Sequence, residues 1–292
     1  MGVRGGGGRI LIVLFLAFAP HIRAIDWPVP SAIMRTSFGQ NNRGTPSLGA
    51  AFESSGYIGA GEAGDLLFTR NPSKRPSRLP APLGAWVALD HGDGIISIYS
   101  RFDEEQTVAV PDKVERGRII ASAGRSGWSE RDGFYFAFFD RKERRWVNPS
   151  RLIAPLPDAV APVIYSVELR SADGREINPV QARSISQGRY TVFVNAADAS
   201  LGGQNPPLAP YRILCSVNGL EAGALVFETY SVRDGALMVS RNGLAPVKQV
   251  YGAYPAYEIG EVWFTRGQAM LEIVVQDISG NSQAAAFRLA VE

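Results

Sequence analysis

Apolar positions along this chain come in short runs that alternate with polar ones, and no stretch repeats them at the three-to-four-residue spacing of a helix. YTVFVNAAD (190–198), YRILCSVNG (211–219), EVWFTRG (261–267) and MLEIVVQD (270–277) show the alternation most plainly, with Gly, Pro, Asn and Asp gathered between them. A period of two predicts half-buried strands, and the turn residues between them predict many short connections. The chain therefore reads as all-β. One interruption is stronger than the rest. In APLPDAVAPV (154–163) three prolines break the strand rhythm, and proline is excluded from the interior of a sheet. This predicts a linker between two units, 25–157 and 163–292. The strand spacing of the second suggests a β-sandwich.

The first 24 residues differ from all that follows. Arg4 and Arg9 precede an apolar run from Ile10 to Ala19, and the segment ends on the small residue Ala24. That layout predicts a secretory signal peptide at 1–24, because the apolar run is about half the roughly 20 residues needed to span a bilayer. Its removal would take away Arg4, Arg9 and Arg23 and no acidic residue, turning a formal charge of +2 into about −1. A near-neutral exported chain with no transmembrane span gives no support for a nucleic-acid partner. The single cysteine, Cys215, rules out an internal disulfide. It shares one strand face with Tyr211, Ile213 and Val217, so a buried apolar role is expected.

Four segments of the first unit carry a resemblance. They are MRTSFGQNNRGTPSLGAAFE (34–53), WVALDHGDGIISIYSRF (86–102), VERGRIIASAGRSGW (114–128) and GFYFAFFDRKERRWVNPSRLI (133–153). In order and spacing they resemble the β-core of the lysostaphin/LytM-type zinc peptidases of bacterial cell walls. The resemblance implies an antiparallel peptidase-like core, and in that family zinc is held by an HxGxD segment and the second imidazole of an HxH segment. Aligning Gly49 with the motif glycine places Ser47 and Ala51 at two ligand positions. Aligning FYF (134–136) with HxH places Phe136 at the third and Phe134 at a catalytic imidazole. Arg101 follows Tyr99 and Ser100 where the family has a catalytic histidine. Serine and alanine are poor or impossible zinc ligands, and a guanidinium stays protonated and cannot act as a general base. VVQDISGNS (274–282) is in turn similar to a final-strand turn of bacterial immunoglobulin-like modules.

The two resemblances together imply a degenerate LytM-like domain with no bound cofactor, fused to an immunoglobulin-like sandwich. His91 is expected as a hydrogen-bonded turn residue beside Gly92 and Gly94. The vacated groove, with Arg101, His91, Tyr99, Phe134 and Phe136, and the cationic loop with Arg70, Lys74, Arg75 and Arg78, form the candidate binding surface. Related degenerate domains act on cell-wall hydrolases, so the implied role is a periplasmic or envelope scaffold or regulator whose partner is such a hydrolase or another envelope protein. Two alternatives stay open: a module that binds peptidoglycan itself, and an active endopeptidase with an unrecognised metal site. A serine hydrolase built on Ser126 and His91 lacks the glycine frame of a nucleophile elbow.

Overall fold

A computed structural model describes residues 25–74, 79–106, 108–198, 207–252 and 255–292. The predicted signal segment, Arg75 and Arg78 lie outside the described residues. The protein is 54% strand and 3% helix, so the all-β expectation holds. No helix among the described residues is long and apolar enough to cross a membrane.

The longer strands, numbered in chain order, are β1 (Ile33–Thr36), β2 (Ala50–Glu53), β3 (Gly64–Arg70), β4 (Trp86–Asp90), β5 (Ile95–Ser100), β6 (Gly133–Asp140) and β7 (Arg145–Val147) in the first half. The second half holds β8 (Val163–Ser171), β9 (Gly188–Ala197), β10 (Arg212–Val217), β11 (Leu220–Arg233), β12 (Ala236–Arg241), β13 (Tyr257–Phe264), β14 (Gly267–Gln276) and β15 (Ser282–Val291). In the first half β6 is central: it pairs antiparallel with β5 along one edge and with both β2 and β7 along the other. From β5 the sheet continues through β4 to β3, and from β2 to β1.

Alternate residues of β6 point to opposite faces, and the burial follows. Phe134, Phe136 and Phe138 are at most 2% exposed and join Trp27, Phe52, Val87, Leu89, Tyr99 and Ile120 in one core. The Phe52 and Phe134 rings stack at 4.9 Å, and Phe136 meets Tyr99 at the same centroid distance. Gly49 sits where a Cβ would come 2.4 Å from the Phe136 carbonyl oxygen, so the chain can cross β6 only as glycine.

In the second half two sheets enclose a second core. One is β8–β9–β13, contributing Val167, Leu169, Val192 and Val194; the other includes β10, β11, β14 and β15, contributing Ile213, Leu225, Phe227, Ile273 and Leu289. Cys215 is 1% exposed within this core, and burial pushes its thiol up to about 12, as expected of an inert apolar cysteine.

The two halves are joined by more than the linker. Trp146 and Val147 of β7 pair with Tyr230 and Thr229 of β11, so the sheet runs from one half into the other. Asn148 donates its side-chain amide to the Phe227 carbonyl at 2.8 Å. Phe38, from the first unit by sequence, lies in the second core against Tyr230, and the Tyr251 hydroxyl donates to the Gly39 carbonyl at 2.7 Å. Residues around 38 and 39 therefore pack with the sandwich rather than with the core that the linker position would assign them.

Candidate functional site

A single register row crosses the first sheet. Thr36 pairs with Ala51, Ala51 with Tyr135, Tyr135 with Ser100, Ser100 with Trp86 and Trp86 with Arg70. Directly opposed residues share a face, so Ala51, Tyr135 and Arg70 point the same way, opposite to Phe134 and Phe136. Over the middle of this face lies an open groove of about 820 Å³, walled by Ser47, Ala51, Arg101, Asn41, Tyr135 and Trp128 among others. Ser47, Ala51 and Arg101 are thus brought together in one groove.

The β6 residues are not the expected ones. Phe134 and Phe136 were placed on the groove face by aligning FYF with HxH, yet both rings are buried in the aromatic core; Phe134 touches the groove only as part of its floor, at 2% exposure. The register is one residue later. Tyr135 faces the groove, and by alternation Ala137, fully buried close to Gly49, shares that face. Phe-Tyr-Phe and Tyr-Phe-Ala fit the alternation equally well, and a slip of one residue exchanges the two faces of a strand.

Tyr135 fills the middle of the site. Its hydroxyl is engaged by the Ser47 side chain and the Leu48 backbone, while burial pushes its ionisation up to about 12 and leaves a neutral phenol. Ser47 in turn donates to the Gly49 carbonyl at 2.8 Å. The Arg101 guanidinium carbon stands 5.0 Å from the centroid of the Tyr135 ring, a cation–π distance. Burial lowers the pKa of Arg101, but guanidinium remains the charged form at physiological pH. Two buried donors on the groove wall, Arg101 Nε and Asn41 Nδ2, have no hydrogen-bond partner among the described residues. Among the described residues the groove's carboxylates are Glu53, Glu130 and Asp132; Glu53 pairs with Arg35 at 2.7 Å and Asp132 with Arg125 at 3.3 Å.

The zinc that the fold resemblance implies does not fit this donor set. A methyl group, a hydroxyl already donating, a neutral phenol and a fixed cation replace the imidazole and carboxylate ligands that zinc requires, and the guanidinium repels a dication.

The other candidates scatter. Tyr99 is fully buried, its hydroxyl accepting from the Gly61 N–H at 3.0 Å, so it is a core residue and not a groove contact. His91 lies at the opposite end of β5 from Arg101, with ring nitrogens 2.8 Å from the Ala63 carbonyl and 2.6 Å from the Ser97 hydroxyl. It is the turn residue the glycines predicted and takes no part in the groove. Arg70 and Lys74 border a separate cavity of about 310 Å³ beside Trp86 and Phe102. Trp128 lines the groove and is 71% exposed.

Residues 56–149 match the model of Peptidase family M23, so the chain carries an M23, LytM-type domain there. A second family model, without a description, matches residues 161–292. Among solved structures the chain is similar to a mutant catalytic domain of the prophage-encoded M23 protein EnpA from Enterococcus faecalis, at 19% identity over 38% of this chain and 82% of that one, with a TM-score of 0.33. It is also similar to the SpoIIQ–SpoIIIAH pore-forming complex, at 18% identity, 45% and 92% coverage and a TM-score of 0.35. A third likeness is to the antimicrobial peptidase lysostaphin from Staphylococcus simulans, at 15% identity, 76% and 87% coverage and a TM-score of 0.35. Likenesses this distant carry no argument about activity. No curated protein matches the chain.

Proposed function

We propose that the protein is an exported, non-catalytic M23-type module that binds an envelope partner in its groove and regulates or scaffolds cell-wall hydrolysis. The observation that carries this reading is the chemistry of the groove face. Where a zinc peptidase needs ligands and a base, the groove presents Ser47, Ala51, Tyr135 and Arg101, together with the donors Arg101 Nε and Asn41 Nδ2, which have no partner among the described residues. With the register shifted by one, the positions of the HxH pair fall on Tyr135 and Ala137 rather than on Phe134 and Phe136. Unpaired buried donors cost free energy until an acceptor arrives, so the groove suits a ligand rich in carbonyl or carboxylate oxygens, as a protein segment is. Signal-peptide export and an immunoglobulin-like identity for residues 163–292 belong to the same proposal, resting on the sequence layout of 1–24 and on the two facing sheets.

Peptidoglycan stem peptides also carry such acceptors, and they are the second reading. Capture from an envelope extract, compared with binding to purified peptidoglycan, separates the two. The proposal expects a protein partner whose binding Arg101→Glu weakens by tenfold or more, about 1.4 kcal/mol. Unaltered capture by that variant overturns it. One zinc per purified chain, with muropeptide release that depends on the metal, overturns the non-catalytic reading.

A further inference from the structure

Away from the groove, the linker and two strand ends bring three carboxylates together. Asp158 lies in the proline-rich linker; Asp198 directly follows β9; Asp277 follows β14 and opens the turn to β15. One ligand oxygen of each lies within 4.8 Å of the others. Their surroundings differ. Asp158 accepts from the Val160 N–H at 2.9 Å, and Asp277 accepts from the Asn281 N–H at 2.9 Å and from the Asn281 side-chain amide at 2.7 Å. That amide also reaches the Asp158 carbonyl at 3.2 Å, which ties the linker to the turn. Tight-turn geometry accounts for these two residues.

Asp198 has no such explanation. It is 8% exposed, and its Oδ1 is buried with no donor among the described residues. Its backbone is fixed by a two-way bridge to Leu208, with both N–H···O distances at 2.9 Å, so the side chain is held facing the other two. Burial, then the negative charges of Asp277 and Asp158, push its carboxyl up to about 7. An orphaned buried carboxylate oxygen crowded by like charge is costly. A bound cation removes both costs at once.

We infer that Asp158, Asp198 and Asp277 form a calcium site that pins the linker to the sandwich. The ligands are all carboxylate oxygens from irregular segments, which suits a hard cation of flexible coordination; the described surroundings offer no thiolate or imidazole for a softer metal. Asp158 and Asp198 also line a cavity of about 270 Å³ with Ile278 and Ser279, which leaves room for the water that completes a calcium shell. Because one ligand comes from the linker and two from the sandwich, occupancy would order the junction between the halves. This rests on different residues from the groove reading, and its test leaves that reading untouched.

The test is calorimetric titration of the purified, EDTA-stripped protein with calcium chloride and with magnesium chloride, together with thermal melts in each. The expected result is one calcium per chain with a Kd of roughly 0.1–1 mM or tighter, a rise in Tm, and magnesium binding weaker by about tenfold or more. Asp198→Asn should weaken calcium binding by about tenfold or more while leaving the EDTA melt unchanged or higher, because the variant relieves the carboxylate crowding. Asp158→Asn, at a half-buried linker position, should weaken binding without disturbing the fold. No response to calcium at about 10 mM, well above the weakest modular sites, overturns the inference. So does undiminished calcium binding in both variants.

Discussion

Arg101 holds a left-handed backbone conformation, φ 69°, which a side chain of its size rarely adopts. Such a residue costs about 1–3 kcal/mol and persists where the surroundings fix it. Stacking on Tyr135 returns about 0.5–1 kcal/mol of this, so packing alone is a weak reason to keep it. Arg101→Gly should accordingly leave the Tm equal or higher while partner capture falls, measured by thermal melt and pull-down on the same preparation. A lower Tm with capture intact would make the arginine a structural residue only. The phenyl rings of β6 predict the reverse pattern. Phe136→Ala should cost about 3–5 kcal/mol in urea unfolding, since its buried ring meets Trp27, Tyr99 and Phe138. Histidines placed at 134 and 136 should destabilise the protein in the same way and recruit no zinc, because they would face the core.

Among the elements, the crossing of Gly49 over β6 sets the groove. Gly49→Ala places a methyl against the Phe136 carbonyl, and an unfolding measurement should show a loss of about 1–3 kcal/mol with the Tyr135–Ser47 contact displaced. This is also where sequence and structure part. The strand order, Gly49 and the His91 turn were legible, because each depends on local alternation or on a turn residue. Which face of β6 meets the groove was not, since three phenylalanines, a tyrosine and an alanine in succession leave the alternation nearly symmetric; pairing with Ala51 and Ser100 decides it. The Asp198 cluster was equally hidden. Its members are 40 and 79 residues apart in the chain, and no local pattern marks them.

Taken whole, the molecule is two cores joined by a shared sheet, the Phe38 insertion and Asn148. Asn148 is 8% exposed and holds the Phe227 carbonyl, so Asn148→Ala leaves that acceptor buried and unpaired at a cost of about 1–3 kcal/mol. Hydrogen exchange should show the loss in both β6 and β11, because each flanks the β7 pairing; protection lost in one half alone would mean that the halves unfold independently. A joined body of this kind presents the groove on a fixed base, as a binding partner requires. The measurement that tests the central claim most directly is muropeptide release from purified peptidoglycan, by the protein alone with zinc supplied and by an envelope amidase with and without it. The account predicts no release by the protein alone and altered release by the amidase when wild-type protein, but not Arg101→Glu, is added. Release by the protein alone, or an amidase indifferent to its presence, would contradict it.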